Sequence, residues 1–468
     1  MSDMMSDGTM LSAASMAQPT DASDQLIAAG MSGAQARLKA GWFQQLDDAL
    51  ATDGVSLEHV RHYWVPGRIE LLGKHTDYAG GRSLLLAIEQ GLCVAAAPRR
   101  DCRLRVRDIR SGEVVRTAVD VESRADAGSW GEYVAAPARR IARNFPGELL
   151  GAELAFASDL PPAAGMSSSS ALVTAVFLAL SDVNALPARE EYRGSIRSTE
   201  DLAAYLGSVE NGSGFGALAG DVGVGTKGGC QDHAAILLSR PGALVQYAFL
   251  PLRFEQAVAV PDGCRFVVAT SGVAAEKTGA ALASYNRSSA AVASMLSLWN
   301  RAGGRADGSL AAVIASSPDG ADRMRELIRG TTAAGFESGV LADRFEQFQT
   351  ESGVIVPAAA EALAQDDMAS LGALVDLSQE CAERLLGNQI PETIELARSA
   401  RRLGAVAASA FGAGFGGSVW ALVPEDRAEP FQADWARAYR RAFPDAAPRA
   451  EFFVTRAGPP ATRIGVSA

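Results

Sequence analysis

Hydrophobic and polar positions follow a pattern that predicts a mixture of strands and helices. In the first half of the chain, apolar runs of strand type occur at residues 64–73, 83–100, 102–108 and 151–161. Apolar residues recur with helical spacing over 128–145. A long apolar helix is predicted over 171–186, and it stops near Pro187.

The second half is predicted to begin with strands and to continue mainly as helices. The strands are expected at 234–239, 243–252 and 264–272, and the helices include 281–299 and 392–404. Two more strands, 416–424 and 450–457, end the pattern. We expect a domain boundary near residue 255, so that the domains are 31–255 and 256–468. Residues 1–30 are small, polar and acidic, without a signal-peptide pattern, which predicts a disordered tail.

Composition narrows the class of protein. The chain has 468 residues, of which 48% are hydrophobic and 21% charged, as expected of a globular protein with two or three domains. A net charge of −11 argues against a nucleic-acid partner, and no apolar stretch reaches membrane-spanning length. The five cysteines are scattered without a CxxC pair, which argues against disulfides or a zinc site and favours a reducing cytoplasm.

The stretch "GRIELLGKHTDYAGG", residues 67–81, places unusual chemistry in one loop. An ammonium, an imidazole, a hydroxyl, a carboxylate and a phenol follow a strand-like run and precede two glycines. A polar turn after a strand would account for such a loop in isolation. The other clusters in the chain decide whether it binds a ligand.

A second cluster, "LPPAAGMSSSSALVTA", runs from Leu160 to Ala175. A strand, a loop of small residues and four serines at the start of an apolar helix favour an anion site, because unpaired amides and the positive end of the helix dipole face the loop. Helix capping is the alternative, but one cap needs only one serine. The Walker A pattern GxxxxGK[ST] is absent.

A third cluster, "SAFGAGFGGSVWALV", contains the GxGxxG spacing at Gly412, Gly414 and Gly417. A dinucleotide site needs a strand before this motif and a helix after it. Here the preceding segment has helical character and the following one is a predicted strand. A turn that packs closely against a phosphate or against the first loop is therefore the better interpretation. In a fourth cluster, "GTKGGCQDHAAI", Asp232 follows glycines and precedes the predicted strand 234–239, and it either caps a turn or does chemistry.

Together these clusters resemble the GHMP kinases, the superfamily of galactokinase and the homoserine, mevalonate and phosphomevalonate kinases. The first loop resembles the galactokinase signature, the serine loop the ATP loop, and the glycine turn the third family motif, in the family's order and over residues 40–460. "GSWGEYV", "SYNR" and "LLGNQIPE" also resemble galactokinase segments. The resemblance implies an α+β fold with an N-terminal ribosomal-protein-S5-like domain and a C-terminal ferredoxin-like domain. The active site is then expected in the cleft between the two domains.

The resemblance also implies a role for each matching residue. Asp232 would act on the anomeric hydroxyl of a sugar, and Arg68 would stabilise the transferred phosphoryl group. The remaining expected site residues fall into three groups: for the sugar, Lys74, His75, Asp77, Gly229 and Tyr285; for ATP, Trp130, Gly165, Ser167, Ser168, Ser169 and Gly414; for Mg²⁺, Ser169 and Glu210.

The sequence departs from the family in three places. Lys74 replaces the glutamate of the family's GEHTDY motif, and Glu70 stands where the family usually has asparagine. The segment between Glu210 and Asp232 is longer than expected, which weakens the assignment of Glu210. Lys74 either favours a carboxylate at the far end of the sugar or pairs with an acid such as Glu70 and never meets the sugar.

The sequence thus predicts a cytoplasmic, ATP- and Mg²⁺-dependent kinase that phosphorylates the anomeric hydroxyl of galactose or a close relative. The expected ligands are a sugar and ATP, with no nucleic acid and no membrane, and a monomer is the expected state. Three alternatives stay open: a kinase for a uronic acid such as galacturonate or glucuronate, a non-catalytic sensor of sugar and ATP, and a dehydrogenase.

Overall fold

The strands of this protein form two separate sheets. The computed structural model describes residues 21–125, 130–275, 279–329 and 335–465. The strands in these ranges are β1 (Arg61–Leu72), β2 (Arg82–Pro98), β3 (Arg103–Asp108), β4 (Val114–Ala118), β5 (Ala152–Ser158), β6 (Ala243–Ala248), β7 (Arg253–Ala259), β8 (Cys264–Thr270), β9 (Ala407–Phe411), β10 (Ser418–Pro424), β11 (Phe452–Thr455) and β12 (Thr462–Ile464).

The larger sheet is organised around the long strand β2. Eight of the described strands belong to it, in the order β12-β1-β2-β5-β3-β4, and β6 and β7 extend it from the other end of β2. Strand β2 can serve both branches because its 17 residues exceed the length of any partner: 92–98 pair with β5 and 82–85 with β6. The smaller sheet is antiparallel, in the order β11-β8-β10-β9.

Helices cover both sheets and fill the space between them. They are α1 (Ala22–Ala28), α2 (Gly33–Thr52), α3 (Glu132–Asn144), α4 (Ser168–Val183), α5 (Glu190–Ser195), α6 (Thr199–Asn211), α7 (Gln231–Leu238), α8 (Gly279–Gly303), α9 (Leu310–Ala315), α10 (Gly320–Arg329), α11 (Ser338–Thr350), α12 (Val356–Ala364), α13 (Met368–Cys381), α14 (Pro391–Arg402) and α15 (Ala428–Ala442). Two π-helical turns, Glu351–Ile355 and Ala382–Leu386, follow α11 and α13. No helix in the described ranges is long and apolar enough to cross a bilayer.

Burial explains this arrangement. The apolar helix α4 packs with α3 against the large sheet, and this core includes Val65, Ile69 and Phe177. Helices α14 and α15 cover the small sheet around Trp435. The two sheets and their covering helices confirm the predicted α+β class.

Three expectations about local structure need correction. Residues 234–238 of the predicted strand 234–239 belong to α7. The prediction was wrong because a short apolar run carries too little periodicity to separate a strand from a helix. Residues 22–28 of the expected tail form α1, whose Leu26 is buried; residues 1–20 lie outside the described ranges. The segment before Gly412, expected to be helical in character, ends in strand β9.

The domain boundary expected near residue 255 stays a prediction. That position lies within β7 of the large sheet, and the chain passes to the small sheet between Ala259 and Cys264. The last described strand, β12, returns to the large sheet beside β1. The two halves are therefore joined by more than one crossing of the chain.

Candidate active site

A cavity of about 760 Å³ collects most of the residues that the sequence singled out. Strand β1, the loops at 73–81 and 160–170, the start of α7 and the turn after β9 all contribute to its walls. The predicted residues among its lining are Arg68, His75, Asp77, Trp130, Gly165, Ser167, Ser168, Ser169, Glu210, Gly229, Asp232 and Tyr285.

An ion pair between a buried arginine and a partly exposed aspartate lies in the wall of this cavity. Arg68 is 3% exposed; its Nε donates to Oδ1 of Asp232 at 2.9 Å, and its Nη2 lies 2.8 Å from the same oxygen. Its Nη1 donates to the carbonyl oxygen of Gly165 at 2.6 Å, in the serine loop. The hydroxyl of Ser170 donates to the other carboxylate oxygen of Asp232 at 3.3 Å. The guanidinium is thus held between a carboxylate and the loop that begins α4.

The start of α4 has the features of an anion site. Ser167 stands at the N-cap in a left-handed conformation (φ 62°), and its side chain makes no capping hydrogen bond. Its Oγ is buried and has no hydrogen-bond partner among the described residues. Ser168 and Ser169 follow in the first turn and line the cavity. Free amides, hydroxyls and the helix dipole therefore face the cavity together.

The loop at 73–81 is shaped by close backbone packing. Gly73 has φ 107°, and a Cβ there would lie 2.3 Å from Oγ of Ser83, so only glycine fits. His75, also with positive φ (57°), places Nδ1 2.8 Å from the hydroxyl of Tyr78 and Nε2 3.1 Å from the carbonyl oxygen of Ala413. The ring of Tyr285 lies 5.3 Å from the imidazole. An imidazole and a phenol thus stand side by side in the cavity wall.

Asp77 is held rigidly in the same loop. Its carboxylate accepts hydrogen bonds from the backbone N–H groups of Gln231, at 3.2 Å, and Tyr78, at 2.9 Å. A Cβ on Gly229 would lie 2.5 Å from Oδ2 of Asp77, so this glycine permits the close approach. Burial raises the pKa of Asp77, although these hydrogen bonds oppose the shift, and nearby Asp232 adds to it.

Lys74 is not among the described residues that line the cavity. It is 1% exposed, and its Nζ donates to Oγ of Ser378 in α13 at 2.8 Å. Ser378 in turn donates to Glu351, which also accepts from the N–H groups of Gly73, at 2.7 Å, and Lys74, at 3.3 Å. The contact of Lys74 with the sugar stays a prediction, and the groups that surround this side chain come from residues about 275–305 positions away in the sequence.

Gly414 also lies away from the cavity wall. A Cβ on Gly414 would lie 2.3 Å from the carbonyl oxygen of Asn388, whereas its neighbours Gly412 and Ala413 do line the cavity. A Cβ on Gly412 would lie 2.9 Å from the carbonyl oxygen of Gly165. The third glycine cluster is thus a β9–β10 turn packed against the serine loop, and through Ala413 it also meets His75 of the first loop.

Glu210 and Ser169, the two residues expected to hold Mg²⁺, both line the cavity. Glu210 is the next-to-last residue of α6, and its Oε1 lies 3.2 Å from Nε2 of His233 in α7. The other ring nitrogen of His233 lies 3.1 Å from the hydroxyl of Thr174. A hydroxyl and a carboxylate are ligands that Mg²⁺ accepts. Within the described ranges no cluster of three or more His, Cys, Asp or Glu residues could hold a metal by itself.

An aromatic group marks another part of the cavity. Trp130 stands edge-on to Phe156, with ring centroids 5.7 Å apart, and its indole N–H donates to Oε2 of Glu113 at 2.7 Å. Arg110 and Tyr133 line the same cavity. An indole fixed in this way offers a flat apolar surface for a planar ring. Sequence reasoning did not assign Arg110, Glu113 or Tyr133 to the site. Arg110 and Glu113 are isolated charged residues outside any motif, whereas Tyr133 lies in the segment "GSWGEYV", of which only Trp130 was assigned.

Three known protein-family profiles match most of the segments that form the cavity wall. The profile for the GHMP kinases N terminal domain matches residues 132–240, the profile for the GHMP kinases C terminal matches 359–441, and the galactokinase galactose-binding signature matches 58–98. The chain belongs to the GHMP kinase superfamily, in its galactokinase family. It is a sugar kinase. The three matches contain the first loop, the serine loop and the turn after β9, as the sequence predicted.

Two galactokinases have low sequence identity to this GHMP kinase, but their matches cover most of both chains. The galactokinase of Chloroflexus aurantiacus is 27% identical over 383 residues, which cover 80% of this chain and 86% of that protein. The galactokinase of Mycobacterium tuberculosis strain H37Rv is 28% identical over 383 residues, covering 81% and 92%. The crystal structure of Lactococcus lactis galactokinase complexed with galactose has a TM-score of 0.73 at 23% identity, and the match covers 90% of this chain and 99% of that one. This last similarity confirms the fold.

Proposed function

We propose that this GHMP kinase transfers the γ-phosphoryl group of ATP to the anomeric hydroxyl of galactose or a closely related neutral sugar. The observation that carries the proposal is the Arg68–Asp232 pair, fixed in the cavity wall between the start of α4 and the loop at 73–81. The start of α4, on one side of the pair, suits a triphosphate. The loop at 73–81, on the other side, suits hydroxyl groups. The reacting centre would lie between them.

Asp232 would act on the acceptor. Its carboxylate can accept the proton of the C1 hydroxyl while the oxygen attacks the γ-phosphorus, and the bond from that phosphorus to the β–γ bridging oxygen breaks to release ADP. Arg68 would stabilise the negative charge that spreads over the transferred group. Because Arg68 already donates to Asp232 and Gly165, little reorganisation is needed during the reaction.

The serine loop would hold the triphosphate. The amides and hydroxyls of Ser167, Ser168 and Ser169 would replace the water that hydrates the phosphates. The oxygen atoms of Ser169 and Glu210 fit Mg²⁺, and a bound ion would neutralise phosphate charge and favour departure of ADP. The indole of Trp130 offers a surface for the adenine ring.

The sugar would occupy the side of the cavity formed by the loop at 73–81. His75, Asp77 and Tyr285 can exchange hydrogen bonds with ring hydroxyls, and Gly229 leaves room for the sugar to approach. A uronic acid is not proposed as the acceptor, because Lys74 bonds to Ser378 instead of lining the cavity.

The test is ADP release from ATP with D-galactose, with NMR of the product to locate the phosphate. Phosphate on C1, formed only when a divalent ion is present, would support the proposal, and Asp232→Asn serves as the inactive control. Galactose binding without ADP release would instead indicate a sensor. An absorbance change with NADH would indicate a dehydrogenase.

A further inference from the structure

Glu70 is a carboxylate in the cavity wall that was not among the expected site residues. It lies on β1 two residues after Arg68, and irregular pairing with β2 on either side of these residues lets the strand bend there. Glu70 is 2% exposed. One oxygen, Oε2, accepts from the side-chain amide of Gln231, whereas Oε1 has no hydrogen-bond partner among the described residues.

Burying a carboxylate oxygen without a hydrogen-bond partner costs folding free energy, so the position of Oε1 needs an explanation. The amide of Gln231 is already engaged, since its oxygen accepts from Ser83 at 2.7 Å. Arg68 is engaged with Asp232 and Gly165. The described protein groups near Glu70 therefore leave one acceptor position for a ligand that can donate a hydrogen bond.

Charged and polar groups on several elements surround the Glu70 carboxylate and change its pKa. Arg68 on β1 and Lys74 in the loop favour its ionised form, Glu351 in the π-helical turn opposes it, and Gln231 on α7 supplies a neutral donor. Burial outweighs these contacts and raises the pKa of Glu70 to about 7. Lys74 thus lies behind the cavity wall and supports the charge of Glu70 from outside the cavity.

The sugar side of the cavity is consequently acidic. Glu70, Asp77 and Asp232 line it, and the described cations in the whole lining are Arg68, which is paired, and Arg110, in the turn that follows β3. A sugar with its own carboxylate would meet like charges without a free cation. A neutral sugar would bring hydroxyl donors that match the carboxylates.

We infer that Glu70 is a specificity-determining residue, whose carboxylate accepts a hydrogen bond from a hydroxyl of a neutral sugar and excludes acidic sugars. This inference rests on the proposed function, and it names the acceptor class of the same site. It also opposes one of the two roles that the sequence left open for Lys74, the attraction of a uronic acid.

The test compares wild type with Glu70→Gln, which keeps the shape of the side chain and removes its charge. Calorimetry measures the Kd for D-galactose and D-galacturonate, and a coupled assay measures kcat and KM for the same sugars. We expect wild type to prefer galactose by about 100-fold or more, since like-charge contacts cost several kcal/mol. In Glu70→Gln the preference should fall by at least about 10-fold, mainly through weaker galactose binding, with the KM for ATP within about 2-fold.

Glu351→Gln is the matched control, because Glu351 is also buried near Lys74 but does not line the cavity. It should lower the melting temperature and leave the preference between the two sugars within about 2-fold of wild type. An unchanged preference in Glu70→Gln, or an equal change in both variants, would overturn the inference. Wild type that binds galactose without phosphorylating it would contradict the proposed function only, because the ratio of the Kd values still decides the role of Glu70.

Discussion

Replacing Lys74 by methionine should destabilise the protein without changing which sugar it prefers. The ammonium is 1% exposed and reaches Glu351 through the hydroxyl of Ser378. Methionine keeps the length of the side chain but removes its charge, so Glu351 and Glu70 lose the cation that lies near both. Removing one partner from a buried charged network costs about 3–5 kcal/mol. Lys74→Glu should cost more, because it adds a third buried carboxylate.

The measurement is thermal unfolding, followed by tryptophan fluorescence, together with the ratio of kcat/KM for galactose and galacturonate. Lys227→Met is the control: this exposed lysine donates to the carbonyl oxygen of Asn211 at 3.1 Å, and its loss should change stability by no more than about 0.5 kcal/mol. Wild-type stability in Lys74→Met, combined with a reversed sugar preference in Lys74→Glu, would refute this reasoning. That result would mean that the ammonium reaches the sugar.

Three further predictions concern the proposed chemistry. Asp232→Asn should lower kcat by roughly 10²–10⁴-fold with ATP affinity nearly unchanged; near-normal turnover would remove Asp232 from the mechanism. Ser169→Ala should raise the Mg²⁺ concentration needed for half-maximal activity and cost no more than about 1 kcal/mol of stability, whereas normal activity would leave this serine a purely structural role. Because burial raises the pKa of Glu70 from 4.5 to about 7, the stability of wild type relative to Glu70→Gln should be greatest below pH 4.5 and decline up to pH 7. Parallel melting curves for the two proteins across that range would contradict the pKa shift.

Most of the site could be predicted because its chemistry lies in short local motifs. The loop at 73–81, the serine loop and Asp232 each combine glycines with polar residues over a few positions, and such patterns are visible in a single sequence. The strands around them alternate or form continuous apolar runs. The site residues that depend only on these local segments line one cavity.

Lys74 and Glu70 could not be placed in the same way, because their surroundings are distant in sequence. Which of the two faces the cavity depends on Glu351 and Ser378, which approach from helices close to 300 residues away. A local pattern shows that a charged residue is present. It does not show whether the charged group points into the cavity or away from it. The helix at 231–238 was missed for a related reason, since eight residues contain barely two helical turns.

The β9–β10 turn shows how the second half of the chain contributes to the candidate site. The hydroxyl of Ser418 donates to the carbonyl oxygen of Ala164 at 2.6 Å, next to Gly165, and the carbonyl oxygen of Ala413 lies 3.1 Å from Nε2 of His75. One tight turn of the small sheet therefore contacts the proposed triphosphate loop and the proposed sugar loop at once. Because glycines remove the side chains that would separate these segments, their backbones can approach closely. A third segment thus bridges the two loops, and its GxGxxG spacing lies in a turn between two strands instead of the strand–turn–helix unit of a dinucleotide site.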